Sequence, residues 1–275
     1  METVPYRDNE RWWSERASFH LATPMYAEFV QRLRDGADAL LPFDDHVLGD
    51  VTGLDILHLQ CHVGTDTLSL ARRGATVTGL DFSEEALAQA RGLGRDLGLA
   101  AEFVHGNAVA LPETVRGPYD VVYTSYGALC WLHDLQLWAA GIAARLRPGG
   151  RLIVIDCHPL WRARASPPFD ERGLVLQEPC LSQPAADAHQ AEGSYADPEA
   201  TTRHNTAHDW WHGIGSVLDA VLRSGLVLEH FEEHPESYYQ GDASMVRGDD
   251  RLWRLPEPHH GRYPLTFSLV ARAPR

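Results

Sequence analysis

Two short groups of residues carry side chains suited to holding a small polar ligand. The segment Gln60-Cys61-His62-Val63-Gly64 follows an apolar run at Ile56, Leu57 and Leu59, and Asp81 ends a second apolar run at 76–80. Between them Leu68, Leu70 and Ala71 fall at helical spacing. Such a strand-helix-strand unit sets a helix N-terminus and a carboxylate at the carboxyl edge of a parallel sheet, where nucleotide-like ligands bind. A dinucleotide's pyrophosphate requires G-x-G-x-x-G at this turn, so that the backbone can approach the phosphates. Only Gly64 is a glycine here, and the side chains of Gln60 and His62 stand where glycines would clear the way. The turn suits a ligand without phosphate better than NAD.

The elements that would position these residues continue the same alternation. Ser83, followed by Glu84 and Glu85, reads as a helix cap with acids in the first turn. Leu87, Ala90, Arg91 and Leu97 carry that helix to Gly98. Residues 102–105 form a third strand, 119–124 a fourth and 151–156 a fifth, with a helix over 134–146 and a turn at 148–150. Alternating strands and helices over 53–156 imply a parallel sheet covered on both faces, and right-handed crossovers make it doubly wound. Before it, residues 5–19 hold Tyr6, Trp12, Trp13 and Phe19, either as a helix on the domain edge or as a lid. Thr23 then Pro24 reads as a capped helix start, with Met25, Phe29, Val30 and Leu33 behind it. Residues 44–52 read as a loop. Periodicity fails over 159–208, which holds Pro167, Pro168, Pro179, Pro184 and Pro198; so long an irregular stretch in a compact enzyme is usually functional or partly disordered. A helix over 210–223 and strands at 226–233 and 264–271 follow. The expected organisation is a helical cover (1–52), a core (53–158), an inserted substrate cover (159–209) and a completion of the sheet (210–275).

Composition narrows the classes. At 275 residues, 44% hydrophobic and 23% charged, the chain is an ordinary globular protein with a full core. A formal net charge of −14 repels phosphate backbones, so nucleic acid is not an expected partner. Cys61, Cys130, Cys157 and Cys180 show no CxxC spacing, which signals neither a disulfide framework nor a metal site. The charged start lacks a signal-peptide core and no apolar run reaches the roughly 20 residues a membrane span needs. A cytoplasmic protein without membrane partners is expected, and its oligomeric state is not legible.

The stretch HLQCHVGTDTLSLARRGATVTGLDFS resembles motif I and the following acidic loop of class I S-adenosylmethionine (SAM) methyltransferases. The family pattern after strand one is close to D-x-G-x-G-x-G; His58, Gln60 and His62 depart from it and Gly64 matches its last glycine. The combination of LQCHVGTDTLSLA with VTGLDFS is similar to a bacterial subfamily with an altered motif. GNAVALP (106–112), TSYGALCWL (124–132), LRPGGRLIV (146–154) and PLTFSLVA (264–271) also match the family. The resemblance covers 53–156 closely and 210–271 more loosely. It implies a Rossmann-like, seven-stranded, mostly parallel α/β sheet with helices on both faces.

The resemblance also implies roles. Asp81 would accept the ribose hydroxyls. Phe82 would pack on adenine, unless it is a core aromatic. Asn107, where the family usually has Asp, would accept from the adenine amine, and Ala108 would offer its backbone N–H. Gln60, Cys61, His62 and Gly64 would face the methionine part, Ser125 and Tyr126 the methyl donor, and Tyr26 or Trp13 would close over the carboxylate. Methyl transfer needs mainly proximity and alignment, and a base only if the acceptor must lose a proton. Histidine suits that task, and His20, His158 and His212 are the candidates. Trp161, Tyr195, Trp210, Trp211, Tyr238, Tyr239 and Trp253 suggest an aromatic pocket for a small, fairly apolar acceptor. The expected function is methyl transfer from SAM to such a molecule, in specialised metabolism, at O, N or C, including an aromatic carbon such as an indole position. The alternatives are an NAD-linked oxidoreductase and a SAM-binding module without transfer.

Overall fold

The computed structural model describes residues 4–115 and 117–275. Its centre is a seven-stranded sheet: β1 (Asp55–Leu59), β2 (Thr76–Asp81), β3 (Glu102–His105), β4 (Tyr119–Ser125), β5 (Leu146–Cys157), β6 (Val227–His234) and β7 (Thr266–Arg272). The spatial order is β6-β7-β5-β4-β1-β2-β3. The first five strands are parallel, while β7 runs antiparallel to β5 and β6 antiparallel to β7. The strand order reverses at β1, so β1 and β4 diverge in the direction of their crossovers and leave a crevice at their carboxyl ends.

Among the described residues eight α-helices surround the sheet: α1 (Val4–His20), α2 (Pro24–Arg34), α3 (Pro42–Leu48), α4 (Thr65–Arg72), α5 (Glu84–Leu97), α6 (Leu135–Ala143), α7 (Pro159–Arg162) and α8 (Ile214–Arg223). Leu57, Val122 and Val154 pack with Trp138 of α6 and Val221 of α8. Their neighbours Ile56, Val121 and Ile153 pack on the opposite face with Phe43 and Leu48 of α3 and Leu70 of α4. Both faces are thus dry, which is why these strands read as continuous apolar runs. Ser83 caps α5, accepting the Ala86 N–H at 3.1 Å, and Gly98 ends it in the left-handed region.

Several local expectations change. The start of the 44–52 loop is the helix α3, where Asp44 accepts the Leu41 N–H at 2.7 Å. Thr23 holds the cap position of α2, but its hydroxyl donates to the His20 carbonyl instead. Residues 148–150 lie within β5 rather than in a turn, opposite a register shift between Tyr119 and Val121. Gly150 passes so close to that neighbour that a Cβ would sit 2.9 Å from the Tyr119 carbonyl oxygen. The helix expected from 210 begins at Ile214; before it the Trp210 N–H bonds the Cys130 carbonyl and the Gly213 N–H bonds Ser182 Oγ.

The segment 159–209 contains α7 and two hairpins, Arg164–Asp170 with Gly173–Leu176 and Asp187–Gln190 with Thr206–Asp209. Between β6 and β7 lies a small three-stranded sheet of Glu236–Ser237, Trp253–Arg254 and Val246–Arg247. Among the described residues no helix is long and apolar enough to cross a membrane.

Candidate functional site

At the end of β1 the chain turns through three left-handed residues in alternation: Gln60 (φ 54°), His62 (φ 50°) and Gly64 (φ 78°). At Gly64 no other residue fits, since a Cβ would lie 2.8 Å from that of Ala90 and 3.0 Å from the Phe103 ring. The left-handed conformation costs about 1 kcal/mol or more at a residue with a side chain. Partners offset that cost. Gln60 Nε2 donates to the Ala128 carbonyl at 2.8 Å, and His62 Nε2 lies 2.7 Å from His20 Nδ1. Gln60 Oε1 is buried with no hydrogen-bond partner. The loop that Gln60 touches is fixed from behind: Asp156, at the end of β5, accepts the N–H groups of Gly127, Ala128 and Leu129.

Asp81, at the tip of β2, is buried. Its Oδ2 accepts the His62 N–H at 2.8 Å and its Oδ1 the Ser83 N–H at 2.9 Å. Burial pushes its carboxyl up to about 6, against the lowering effect of these backbone donors. Two more acids stand nearby. Asp44 of α3 accepts hydroxyl protons from Tyr123 at 2.5 Å and Tyr126 at 2.6 Å. Asp66, in the first turn of α4, has one weak donor, Ser125 Oγ at 3.3 Å. Burial raises both carboxyls, and the Asp44 charge raises Asp66 further. Asp44 accepts from three donors and Asp66 from the single weak one, so Asp44 is the better-served anion.

Asp66 and Asp81 open on a cavity of about 420 Å³, and Asp44 lies behind its wall. Its lining includes Gln60, Cys61, His62, Asp66, Asp81, Phe82, Ser125 and Tyr126 from the sheet edge, and Trp12, Trp13 and Tyr26 from α1 and α2. Trp131, Tyr195, Tyr238 and Tyr239 complete an aromatic wall. Trp13 packs edge-on against His62 at 5.3 Å and Trp131 at 5.2 Å. Tyr26 and Tyr195 share a 2.5 Å hydrogen bond between their hydroxyls.

The inserted segment closes over the cavity and is latched to α1. Arg16, fully buried, donates to the carbonyls of Ala191 at 2.7 Å and His204 at 3.0 Å and lies 3.5 Å from the Trp12 ring centroid. Asn9 exchanges two hydrogen bonds with the backbone of His208, and Glu15 accepts the N–H groups of Arg203 and His204. Ser194, from the same segment, meets His20 Nε2 at 2.9 Å. Its oxygen also accepts the Ala196 N–H, and hydrogen bonds link Ser194, His20 and His62 in one chain. Burial lowers His20 to about 2, helped by His62, and lowers His62 to about 3. Both rings are neutral at neutral pH.

The residues expected from the sequence therefore divide. Tyr26, Gln60, Cys61, His62, Asp81, Phe82, Ser125 and Tyr126 come together on the cavity. Gly64 supports the turn beneath it. Asn107 and Ala108 lie outside the lining, and Asn107 Oδ1 accepts the Val109 N–H. His20 lies behind the lining, against His62, Ser194 and Tyr26. His158 is turned away: its Nδ1 accepts the Leu160 N–H to cap α7 and its Nε2 faces Glu233 at 2.9 Å. His212 donates to the Leu132 carbonyl at 2.8 Å and borders only a small adjoining hollow. Both rings have structural partners, and the structure brings neither to the cavity. Of the aromatics, Tyr195, Tyr238 and Tyr239 line the cavity, whereas Trp161, Trp210, Trp211 and Trp253 do not. Sequence reasoning passed over Asp44, Asp66, Trp131 and Ser194. An acid in a helix's first turn is an ordinary dipole partner, so Asp66 gave no signal of its own.

Comparison with known proteins agrees with this architecture. Residues 56–150 match a family model described as a methyltransferase domain. A demethylmenaquinone methyltransferase of Lactococcus lactis is 37% identical over 139 residues, 46% of this chain and 54% of that protein. A ubiquinone biosynthesis O-methyltransferase of Shewanella is 31% identical over 144 residues, 51% of this chain and 55% of that protein. The chain spans about half the length of these curated relatives. The crystal structure of an S-adenosylmethionine-dependent methyltransferase from Mesorhizobium loti superposes with a TM-score of 0.59 at 24% identity, over 84% of this chain and 96% of that one. That likeness concerns the fold: a seven-stranded, mostly parallel Rossmann-like sheet.

Proposed function

We propose that this chain is a SAM-dependent methyltransferase acting on a small, largely apolar acceptor, at O, N or C, in specialised metabolism. The observation that carries the reading is one juxtaposition. A tight left-handed turn after β1, the Asp81 carboxylate at the tip of β2 and the Asp66 carboxylate in the first turn of α4 face one aromatic cavity. SAM, when bound, supplies a methyl group already activated by its sulfonium. Its ammonium and sulfonium charges match buried carboxylates, and its ribose diol matches Asp81, which keeps lone pairs beyond its two backbone donors. Asp66 suits the ammonium, and Gln60 Oε1 is an acceptor in want of a donor. Phe82 lies beside Asp81 on the lining and offers a flat apolar face to a base. A pyrophosphate is disfavoured, because Asp66 occupies the helix start where its charge would fall and Gln60 and His62 crowd the turn.

The chain's own contribution to transfer is placement and exclusion of water. Trp12, Trp13 and Trp131 with Tyr195, Tyr238 and Tyr239 form the apolar wall for the acceptor. The latched segment carries Ser194 and Tyr195 over it. The hydrogen-bonded chain Ser194–His20–His62 fixes the His62 ring at the cavity edge, so His20 is a positioning residue. Holding donor and acceptor in line can supply several kcal/mol, on the order of 7–11 in favourable cases.

The test is incubation with methyl-labelled SAM and a panel of small phenols, aromatic amines, indoles and carbon acids. Label should pass to one nucleophile class. Tight binding of SAM with no label transferred to any class would point instead to a binding module.

A further inference from the structure

A second group of ligating side chains lies on the far edge of the sheet, away from the cavity. β6 is an edge strand, and its residues 230, 232 and 234 share one face because side chains alternate along a strand. His230 and Glu232 lie against His46, in the last turn of α3. His46 Nε2 is 3.1 Å from Glu232 Oε2, and His230 Nε2 is 3.4 Å from the same oxygen. The His230 nitrogen is buried yet forms no hydrogen bond there. The two rings stand 5.4 Å apart. A third ring is poised beside them: His234 Nε2 meets Ser268 Oγ at 2.9 Å, which leaves Nδ1 facing Glu232 Oε1 at 3.9 Å.

Two imidazoles directed at one carboxylate oxygen make a poor hydrogen-bond arrangement and a good metal one. The three ligand atoms already lie within 4.8 Å of one another. Tetrahedral zinc with bonds of about 2.0 Å sets its ligands roughly 3.3 Å apart. Two of the three separations match, and the third closes by rotation of His46, whose side chain is 58% exposed. Imidazole nitrogens with one carboxylate suit zinc and its neighbours better than calcium or magnesium, which prefer oxygen sets. The chain's charge of −14 adds a general attraction for a cation. We propose that His46, His230 and Glu232 form a binding site for a divalent transition-metal ion of the zinc class, with His234 or water as the fourth ligand. The ion would tie α3 to β6. Because α3 also carries Asp44, which accepts the Tyr126 hydroxyl proton, it would steady that cavity-lining residue from outside.

The test uses the full chain, stripped with a chelator and titrated at pH 7.5 with zinc chloride alone. One ion per chain should bind, and the thermal midpoint should rise. His46→Ala, at an exposed position, and His230→Ala should each weaken binding at least tenfold and abolish the rise, while His260→Ala, at an exposed histidine elsewhere, should not. Cobalt in place of zinc should give visible bands without thiolate charge transfer. Sub-stoichiometric binding, affinity unchanged in both His46→Ala and His230→Ala, or a thiolate charge-transfer band marking a cysteine site would each overturn the proposal.

Discussion

Asp81→Asn separates what the carboxylate does for the ligand from what it costs the fold. The folded carboxyl is pushed up to about 6, chiefly by burial, from the ordinary value of 3.8. The native protein therefore holds more protons at this site than the unfolded chain between those two values. Stability is lost as pH rises through that window and stays lost above it. The difference between the two values corresponds to about 3 kcal/mol. The amide removes that penalty but serves only one of the two N–H donors, His62 and Ser83, and its NH2 opposes the other. An unsatisfied buried donor costs about 1–3 kcal/mol. At pH 7.5 the two effects nearly cancel. At pH 4 the wild-type carboxyl is largely protonated, so only the cost remains.

Urea unfolding should thus show the variant close to the wild type at pH 7.5 and less stable at pH 4, the gap changing by up to about 3 kcal/mol, or roughly 1 M in midpoint. S-adenosylhomocysteine should behave differently. Two hydroxyls lose a charged acceptor, a loss of about 3 kcal/mol, or roughly a hundredfold in affinity at pH 7.5. A variant equally destabilised at both pH values would refute the burial argument. One that bound the ligand within threefold of wild type would refute the ribose assignment.

Other expectations follow from the same geometry. Asp66 and Asp81 have raised carboxyls, and a cationic ligand prefers them ionised; SAM affinity measured by calorimetry should fall as pH drops through 7 towards 5, with proton release on binding. Asp66→Asn should flatten the upper part of that profile. Arg16→Met leaves the carbonyls of Ala191 and His204 without donors; it should make residues 187–209 sensitive to limited proteolysis and raise the acceptor KM more than the SAM KM. Gln60→Gly relieves a left-handed side chain worth about 1 kcal/mol but loses the bond to Ala128 and the acceptor Oε1. Thermal stability should change little while SAM binding weakens severalfold. His158→Ala and His212→Ala should leave the pH profile of turnover unshifted, because both rings point away from the cavity.

The sheet was legible because Ile56, Val121 and Ile153 on one face and Leu57, Val122 and Val154 on the other produce unbroken apolar runs. Asp81 was legible as the polar stop at the end of such a run. α3 was not, since Phe43, Val47 and Leu48 repeat over too short a span to show a period. The acids Asp44 and Asp66 gain their character from Tyr123 and Ser125, 79 and 59 residues away, and no local pattern records those partners. The strands of the inserted segment's hairpins are four to seven residues long with few buried positions, so alternation never develops. The histidines show the limit most clearly. His20, His158 and His212 are alike as residue types; only the direction of each ring separates them, and direction is set by Ser194, Leu160 and Leu132.

The central claim is that the cavity at the β1 and β2 tips holds SAM. Its most direct test is calorimetric titration of the wild-type chain with S-adenosylhomocysteine at pH 7.5, beside NAD. One site of micromolar or tighter affinity for S-adenosylhomocysteine, with no heat from NAD, is the predicted result; NAD binding in its place, or no binding of S-adenosylhomocysteine, would contradict the account.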